Sequence, residues 1–148
     1  MTKDFEELFA CLTARNARAV VVDGYAVAFH AKPRFTKDID IFIDPSIDNV
    51  SRVLQALDDF GFGGLGLSAA DFRPGRIVQL GVPPNRVDLL TAIDGVTFEE
   101  AWAGRVPGQF GSQSVSYIGR TELIRNKRTS GRAQDLADLE TLTSGADS

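Results

Sequence analysis

Three aspartates carry the chemistry this sequence could perform: Asp38 and Asp40 in Lys37-Asp38-Ile39-Asp40-Ile41, and Asp88 in Arg86-Val87-Asp88-Leu89-Leu90. In the first segment acidic and β-branched residues alternate. A strand sends successive side chains to opposite faces, so Asp38 and Asp40 share one face and Ile39, Ile41 and Ile43 the other. The isoleucines read as the buried side of a sheet. Two carboxylates side by side repel unless a cation lies between them or one keeps a proton. A divalent cation resolves this, and Mg²⁺ commonly takes one or two carboxylates together with substrate phosphates. The plain alternative is a strand with a wet polar face. Asp88 sits inside an apolar strand, where an acid needs a reason. Alone it reads as a solvent-facing edge residue; beside Asp38 and Asp40 it completes a three-carboxylate set.

The stretch ahead of these acids offers a place for an anion. Ala19–Val22 reads as a short buried strand, Asp23-Gly24 as a turn, and residues 25–31 as a short helix. A strand–turn–helix leaves unpaired N–H groups at the helix start, which suits a phosphate. Glycine at position 24 lets the backbone come close to such a group. Pro33 stops the helix. Arg34 and Thr36 then lie in the loop just before the acidic strand, either as ordinary surface residues or as groups that position phosphate.

Taken together, G-Y-A-V-A-F-H and R-F-T-K-D-I-D-I resemble the active-site signature of the DNA polymerase β-type nucleotidyltransferase superfamily. They are most similar to the small bacterial branch that includes the minimal nucleotidyltransferases and AbiEii-type toxins. The resemblance implies that Gly24 belongs to the phosphate-binding turn, that Asp38 and Asp40 bind Mg²⁺ from one strand, and that Asp88 is the third carboxylate. Asp23 departs from the pattern, standing where the family usually has its first glycine. An acid there can cap the helix, and it also puts negative charge near the expected triphosphate. A second block, Tyr117-Ile118-Gly119-Arg120 through Lys127 to Asp135 and Asp138, resembles the C-terminal part of the same branch, with its K-x₇-D spacing. It implies that Lys127 contacts nucleotide phosphates and that Asp135 orients Lys127 or an arginine. The alternative is a solvated basic helix face paired with an acidic neighbour.

The activity so implied is transfer of a nucleoside monophosphate from an NTP to a hydroxyl acceptor, releasing pyrophosphate. Mg²⁺, with Mn²⁺ as a substitute, would be held by Asp38, Asp40 and Asp88. Gly24, the N–H of Tyr25, Arg34, Thr36 and Lys127 would bind the nucleotide, and Asp88 would help deprotonate the acceptor. The acceptor is open between a tRNA end, a protein hydroxyl and a small molecule. A toxin–antitoxin setting with an antitoxin-like partner fits the same branch. Asp23 favours a different class of function, a catalytically weak nucleotide-binding module working through a partner protein. Retention of all three acids favours the enzyme. Metal-dependent phosphodiester hydrolysis uses similar carboxylates but gains nothing from the glycine turn.

Around this centre the chain reads as an α/β (α+β) domain spanning residues 1–148. The expected architecture is a nucleotidyltransferase-like mixed sheet with helices packed on one side and a short C-terminal helical segment. Phe5, Leu8, Phe9 and Leu12 follow helical spacing within residues 4–15. Ser46 is a good N-cap for a helix over Ile47–Phe60, with Gly61 as its stop. Residues 76–80 and 86–90 read as two strands joined by a hairpin-like connection. Thr97-Phe98-Glu99-Glu100 is a capping box, with Phe98 and Trp102 packing on the core. Residues 106–112 read as a Gly/Pro loop and 114–118 as a strand. Helices follow from Thr121, broken at Thr129-Ser130-Gly131, and over residues 133–142. The glycine-dense FGFGGLGLS reads as a surface loop, since neither a strand nor a clear helix flanks it as a dinucleotide fingerprint requires.

Composition sets the limits. A chain of 148 residues with 43% hydrophobic and 24% charged residues matches an ordinary globular domain. No apolar run approaches the ~20 residues that span a bilayer, and the acidic, amphipathic N-terminus is not a secretory signal. The single Cys11 excludes an intrachain disulfide and reads as a core residue, which makes the cytoplasm the default location. His30 reads as structural. A net charge of −4 argues against a surface that grips nucleic acid throughout. The charge is uneven, because Arg120, Arg125, Lys127, Arg128 and Arg132 face only Glu122 within residues 120–132. That segment carries +4, so the remainder is near −8.

Overall fold

Strand and helix periods in the sequence resolve into a mixed α/β fold in the computed structural model, which describes residues 2–31, 38–61, 66–81 and 86–144. The order is α1 (Thr2–Ala14), β1 (Ala19–Val22), α2 (Asp23–His30), β2 (Ile39–Ile43), α3 (Ile47–Phe60), a 3₁₀ turn (Ala69–Phe72), β3 (Ile77–Leu80), β4 (Val87–Leu90), α4 (Phe98–Ala103), β5 (Val106–Phe110), β6 (Gln113–Tyr117), α5 (Arg120–Ser130) and α6 (Ala133–Ser144). The strands form one six-stranded sheet in the order β3-β4-β2-β1-β6-β5. β2 runs parallel to β4 and β1 parallel to β6, whereas β1–β2, β3–β4 and β5–β6 are antiparallel.

Alternation divides the sheet as the residue pattern requires. Ile39, Ile41 and Ile43 are fully buried in the core. Val21 lies opposite both Ile41 and Tyr117, so these residues share the isoleucine face. Helices α1 and α2 cover this face. Phe29 of α2 stacks on Tyr117 with ring centroids 4.1 Å apart, and Phe5, Phe9 and Tyr25 surround Phe110 at 5.3–6.1 Å. Phe42 alternates with the isoleucines and points to the other face, where Phe98 of α4 meets it edge-on at 5.2 Å. Helical cover is therefore not confined to one side; α4 crosses over because Phe42 would otherwise meet water.

Helix ends follow the sequence signals. Ser46 accepts a hydrogen bond from the Asn49 N–H, Gly61 closes α3 in the left-handed region, and Thr97 and Glu100 form a reciprocal capping box. Residues 106–110 depart from the expected loop and form β5. It is an edge strand, the position where Pro107 costs no ladder hydrogen bond, and Gly108 admits the rings of Phe29 and Tyr117. Asn49 is a polar residue of α3, yet its side chain is buried. It accepts from Arg18 N (2.6 Å) and donates to Arg18 O (3.1 Å) and Asp44 O (2.8 Å), tying the start of β1 to the end of β2.

Candidate functional site

The parallel pairing of β2 with β4 sets Asp40 directly opposite Asp88. Partners across a ladder point to the same face, so the two carboxylates stand side by side on the face away from the isoleucines. On its other flank Asp40 pairs with Val22, the last residue of β1, which delivers Asp23 to the same place. Burial, followed by the charges of Asp23 and Asp88 and a hydrogen bond with Asp88, pushes Asp40 up to about 7; Lys127 pulls the other way. The charged form of Asp40 is thus disfavoured between two acidic neighbours.

Asp38 lies just before β2 and is held differently. Its carboxylate accepts from the Arg86 N–H at 3.1 Å and lies 3.6 Å from the Arg86 guanidinium. That guanidinium turns its Nε and Nη2 toward Asp88, at 2.9 and 3.2 Å. Arg86 is thus the present counter-ion of both Asp38 and Asp88. The structure brings Asp40 and Asp88 together and ties Asp38 to them through an arginine. The Arg86 side chain remains about one-third exposed, so the clamp can turn toward water.

A cleft of about 380 Å³ opens over these acids. Val22, Asp23, Asp40 and Asp88 form its floor, Ile77, Leu90, Ala92 and Ile93 an apolar wall, and Asp94, Asn126, Ser130 and Arg132 a polar one. A somewhat larger cavity of about 420 Å³ lies between the end of α1, Trp102 and β6 and is lined by no acid.

Asp23 does not cap α2. It is the first helical residue, Val22 stands at the N-cap, and no side-chain cap hydrogen bond forms. The sharp change from strand to helix falls on Asp23 itself, at φ +59°, rather than on Gly24, which is buried. Aspartate is among the few L-residues that visit the left-handed region, and here its side chain pairs with the ammonium of Lys127. Lys127 also lies 3.1 Å from Asp135 and 3.2 Å from Asp138, with its side chain only 1% exposed. Burial pulls its pKa down, but Asp23, Asp135 and Asp138 outweigh burial and hold it above the ordinary lysine range. Asp23, Asp135 and Asp138 offer oxygens within 4.8 Å of one another, close enough to hold a metal ion. In the structure Lys127 supplies the positive charge at that point. Sequence reasoning missed the pairing of Asp23 with Lys127, since nothing local joins residues on different helices.

Asp135 engages both candidate cations, Lys127 at 3.1 Å and Arg132 at 2.7 Å. Burial would raise its pKa, but hydrogen bonds from Arg132 and Lys127 hold it below the usual carboxylate range. Tyr25 turns its ring toward Phe5 and Phe110; burial, then the charge of Asp38, raises its hydroxyl pKa. Arg34 and Thr36 lie outside the described residues. The basic run of residues 120–132 is not one surface patch. Arg120 donates to the Leu142 carbonyl, Arg125 to the Gly95 carbonyl at 2.9 Å, and Lys127 is buried. His30 has a structural partner, the Ile118 carbonyl at 2.6 Å from Nε2. Trp102 stacks on Phe98 and carries the guanidinium of Arg105 at 3.7 Å, consistent with packing.

Among the described residues no helix is long and apolar enough to cross a membrane. Compared with known proteins, the sequence matches no protein-family model and no curated protein.

Proposed function

We propose that the chain is a Mg²⁺-dependent nucleotidyltransferase that moves a nucleoside monophosphate from an NTP to a hydroxyl acceptor. One observation carries the reading: Asp40 and Asp88 stand side by side at a cleft, where burial and the neighbouring acids push the pKa of Asp40 up to about 7. A buried carboxylate whose charged form is disfavoured beside another acid gains when a divalent cation arrives. Asp40 and Asp88 would hold the ion once Arg86 turns aside from Asp88, a movement that also frees Asp38. Bound there, Mg²⁺ or Mn²⁺ would neutralise the triphosphate and stabilise its in-line displacement.

The chain's own groups supply the rest. Ile77, Leu90, Ala92 and Ile93 give an apolar wall against which a nucleobase loses water. A carboxylate oxygen of Asp88 accepts the hydroxyl proton of the acceptor as the acceptor oxygen bonds to the α-phosphorus and the α–β phosphoanhydride bond breaks, releasing pyrophosphate. The setting is cytoplasmic, where NTPs and Mg²⁺ are at hand. The acceptor is a tRNA end, a protein or a small molecule. Incubation with labelled NTPs, Mg²⁺ and a cell extract tests the proposal. Label should pass to an acceptor with the wild-type protein and fall at least ~100-fold with Asp40→Ala or Asp88→Ala. Undiminished transfer in both variants would sink it.

One observation favours a second reading, a nucleotide-binding module that acts through an antitoxin-like partner. Asp23 presents negative charge to the cleft where the resembled family has glycine. Thermal stabilisation by Mg²⁺ and NTP without any transfer would support that reading over the enzyme.

A further inference from the structure

We propose that Arg132, buttressed by Asp135, is the residue that takes the phosphate chain in this cleft, in place of Lys127. The inference rests on the nucleotidyltransferase reading and names its ligand-facing cation. Asp23, Asp40, Asp88 and Asp94 all line the cleft, so a polyphosphate cannot settle there without fixed positive charge. Lys127 is the cation the sequence points to, but it is committed elsewhere. Its side chain is 1% exposed and shared among three carboxylates. Turning it toward a phosphate would leave Asp135 and Asp138, each 2% exposed at the side chain, as buried anions without their lysine.

Arg132 has the opposite character. Its side chain is 73% exposed and lines the cleft on the wall that also holds Asn126 and Ser130. Asp135 takes one edge of the guanidinium, with Nε at 2.7 Å and Nη2 at 3.5 Å. Guanidinium offers five N–H donors in a planar fork. With the Nε edge fixed by a carboxylate, the Nη1 side remains for phosphate oxygens, and the fork is oriented before the ligand arrives. Lys127 holds Asp135 and Asp135 holds Arg132, so the buried lysine acts as a positioning residue for the exposed arginine. Arg128 lies one residue beyond Lys127, is exposed, and does not line the cleft, which makes it the natural control.

Calorimetric titration with inorganic tripolyphosphate and with Mg²⁺–ATP, on wild type, Arg132→Ala, Arg132→Lys and Arg128→Ala, tests the assignment. Arg132→Ala should weaken both ligands about 10- to 100-fold; its melting temperature falls by a few degrees as Asp135 loses the guanidinium, and the protein stays folded at the titration temperature. Arg132→Lys should recover part of the loss, and Arg128→Ala should bind as wild type. Equal binding by Arg132→Ala, or an equal loss in Arg128→Ala, overturns the assignment. A wild type that binds tripolyphosphate through Arg132 but binds no NTP in the presence of Mg²⁺ defeats the transferase reading and leaves the assignment standing. Binding of neither ligand defeats both.

Discussion

Lys127 and Asp23 meet across 104 residues of sequence: the ammonium of α5 donates to the carboxylate that opens α2. The acid that stands in place of a glycine in the first resembled block is thereby the partner of the lysine in the second. Whatever enters the cleft must come to terms with this pair, because Asp23 also raises the pKa of Asp40.

Replacing Asp23 by glycine removes a negative charge from the cleft and places at φ +59° the residue type that adopts it without strain. Asp23→Gly is expected to tighten Mg²⁺–NTP binding about 10-fold, measured by calorimetry at fixed salt. Unchanged or weaker binding would show that Asp23 does not obstruct the ligand.

Lys127→Met leaves Asp135 and Asp138 as buried carboxylates deprived of their ammonium. Breaking a buried ion pair from one side costs about 3–5 kcal/mol, which corresponds to a fall in melting temperature on the order of 10 °C for a chain of this size. A scan by differential calorimetry measures it. A fall of less than ~2 °C would mean the acids are paired or protonated without the lysine.

Asp40 sets a pH dependence of defined sign. Its folded pKa of about 7 lies above the ordinary value of 3.8. Between these values the unfolded chain has released the proton that the folded chain still holds, so stability falls as pH rises through this window and levels off above it. Each pH unit is worth at most ~1.4 kcal/mol. Asp40→Asn should flatten this slope in denaturant titrations. Mg²⁺ should stabilise the wild type more at about pH 8 than at about pH 5, since it competes with the proton. A slope unaltered by Asp40→Asn would assign the effect to another group.

Asn49→Ala is expected to cost about 2–4 kcal/mol, because it leaves the Arg18 N–H and the Arg18 and Asp44 carbonyls without their side-chain partner. Urea unfolding measures this directly. Asn49→Asp should cost at least as much, since it keeps an acceptor for Arg18 N but sets a buried carboxylate oxygen against the Arg18 and Asp44 carbonyls. A loss below ~0.5 kcal/mol for the alanine variant would mean that water replaces the amide.

Much of the fold is legible in the residues alone. The strand at Ile39–Ile43, the capped helix at Ile47–Phe60 and the capping box at Thr97 depend on period and on contacts within four residues, which a sequence displays. The burial of Ile39, Ile41 and Ile43 opposite Asp40 follows from strand geometry in the same way. Residues 106–110 were hidden because glycine and proline mark a loop locally, while pairing with β6 made them a strand. The candidate site divides along the same line. That Asp40 leaves its strand on the side away from Ile39 and Ile41 was determined by spacing; that Asp40 meets Asp88, that Arg86 clamps Asp38 and Asp88, and that Lys127 is shared by Asp23, Asp135 and Asp138 were decided by the tertiary structure. Local spacing fixes which way a side chain leaves its own strand, but the partner it meets depends on how distant elements pack. Charge neutralisation in a buried setting selects among those partners, and no window of sequence contains that choice.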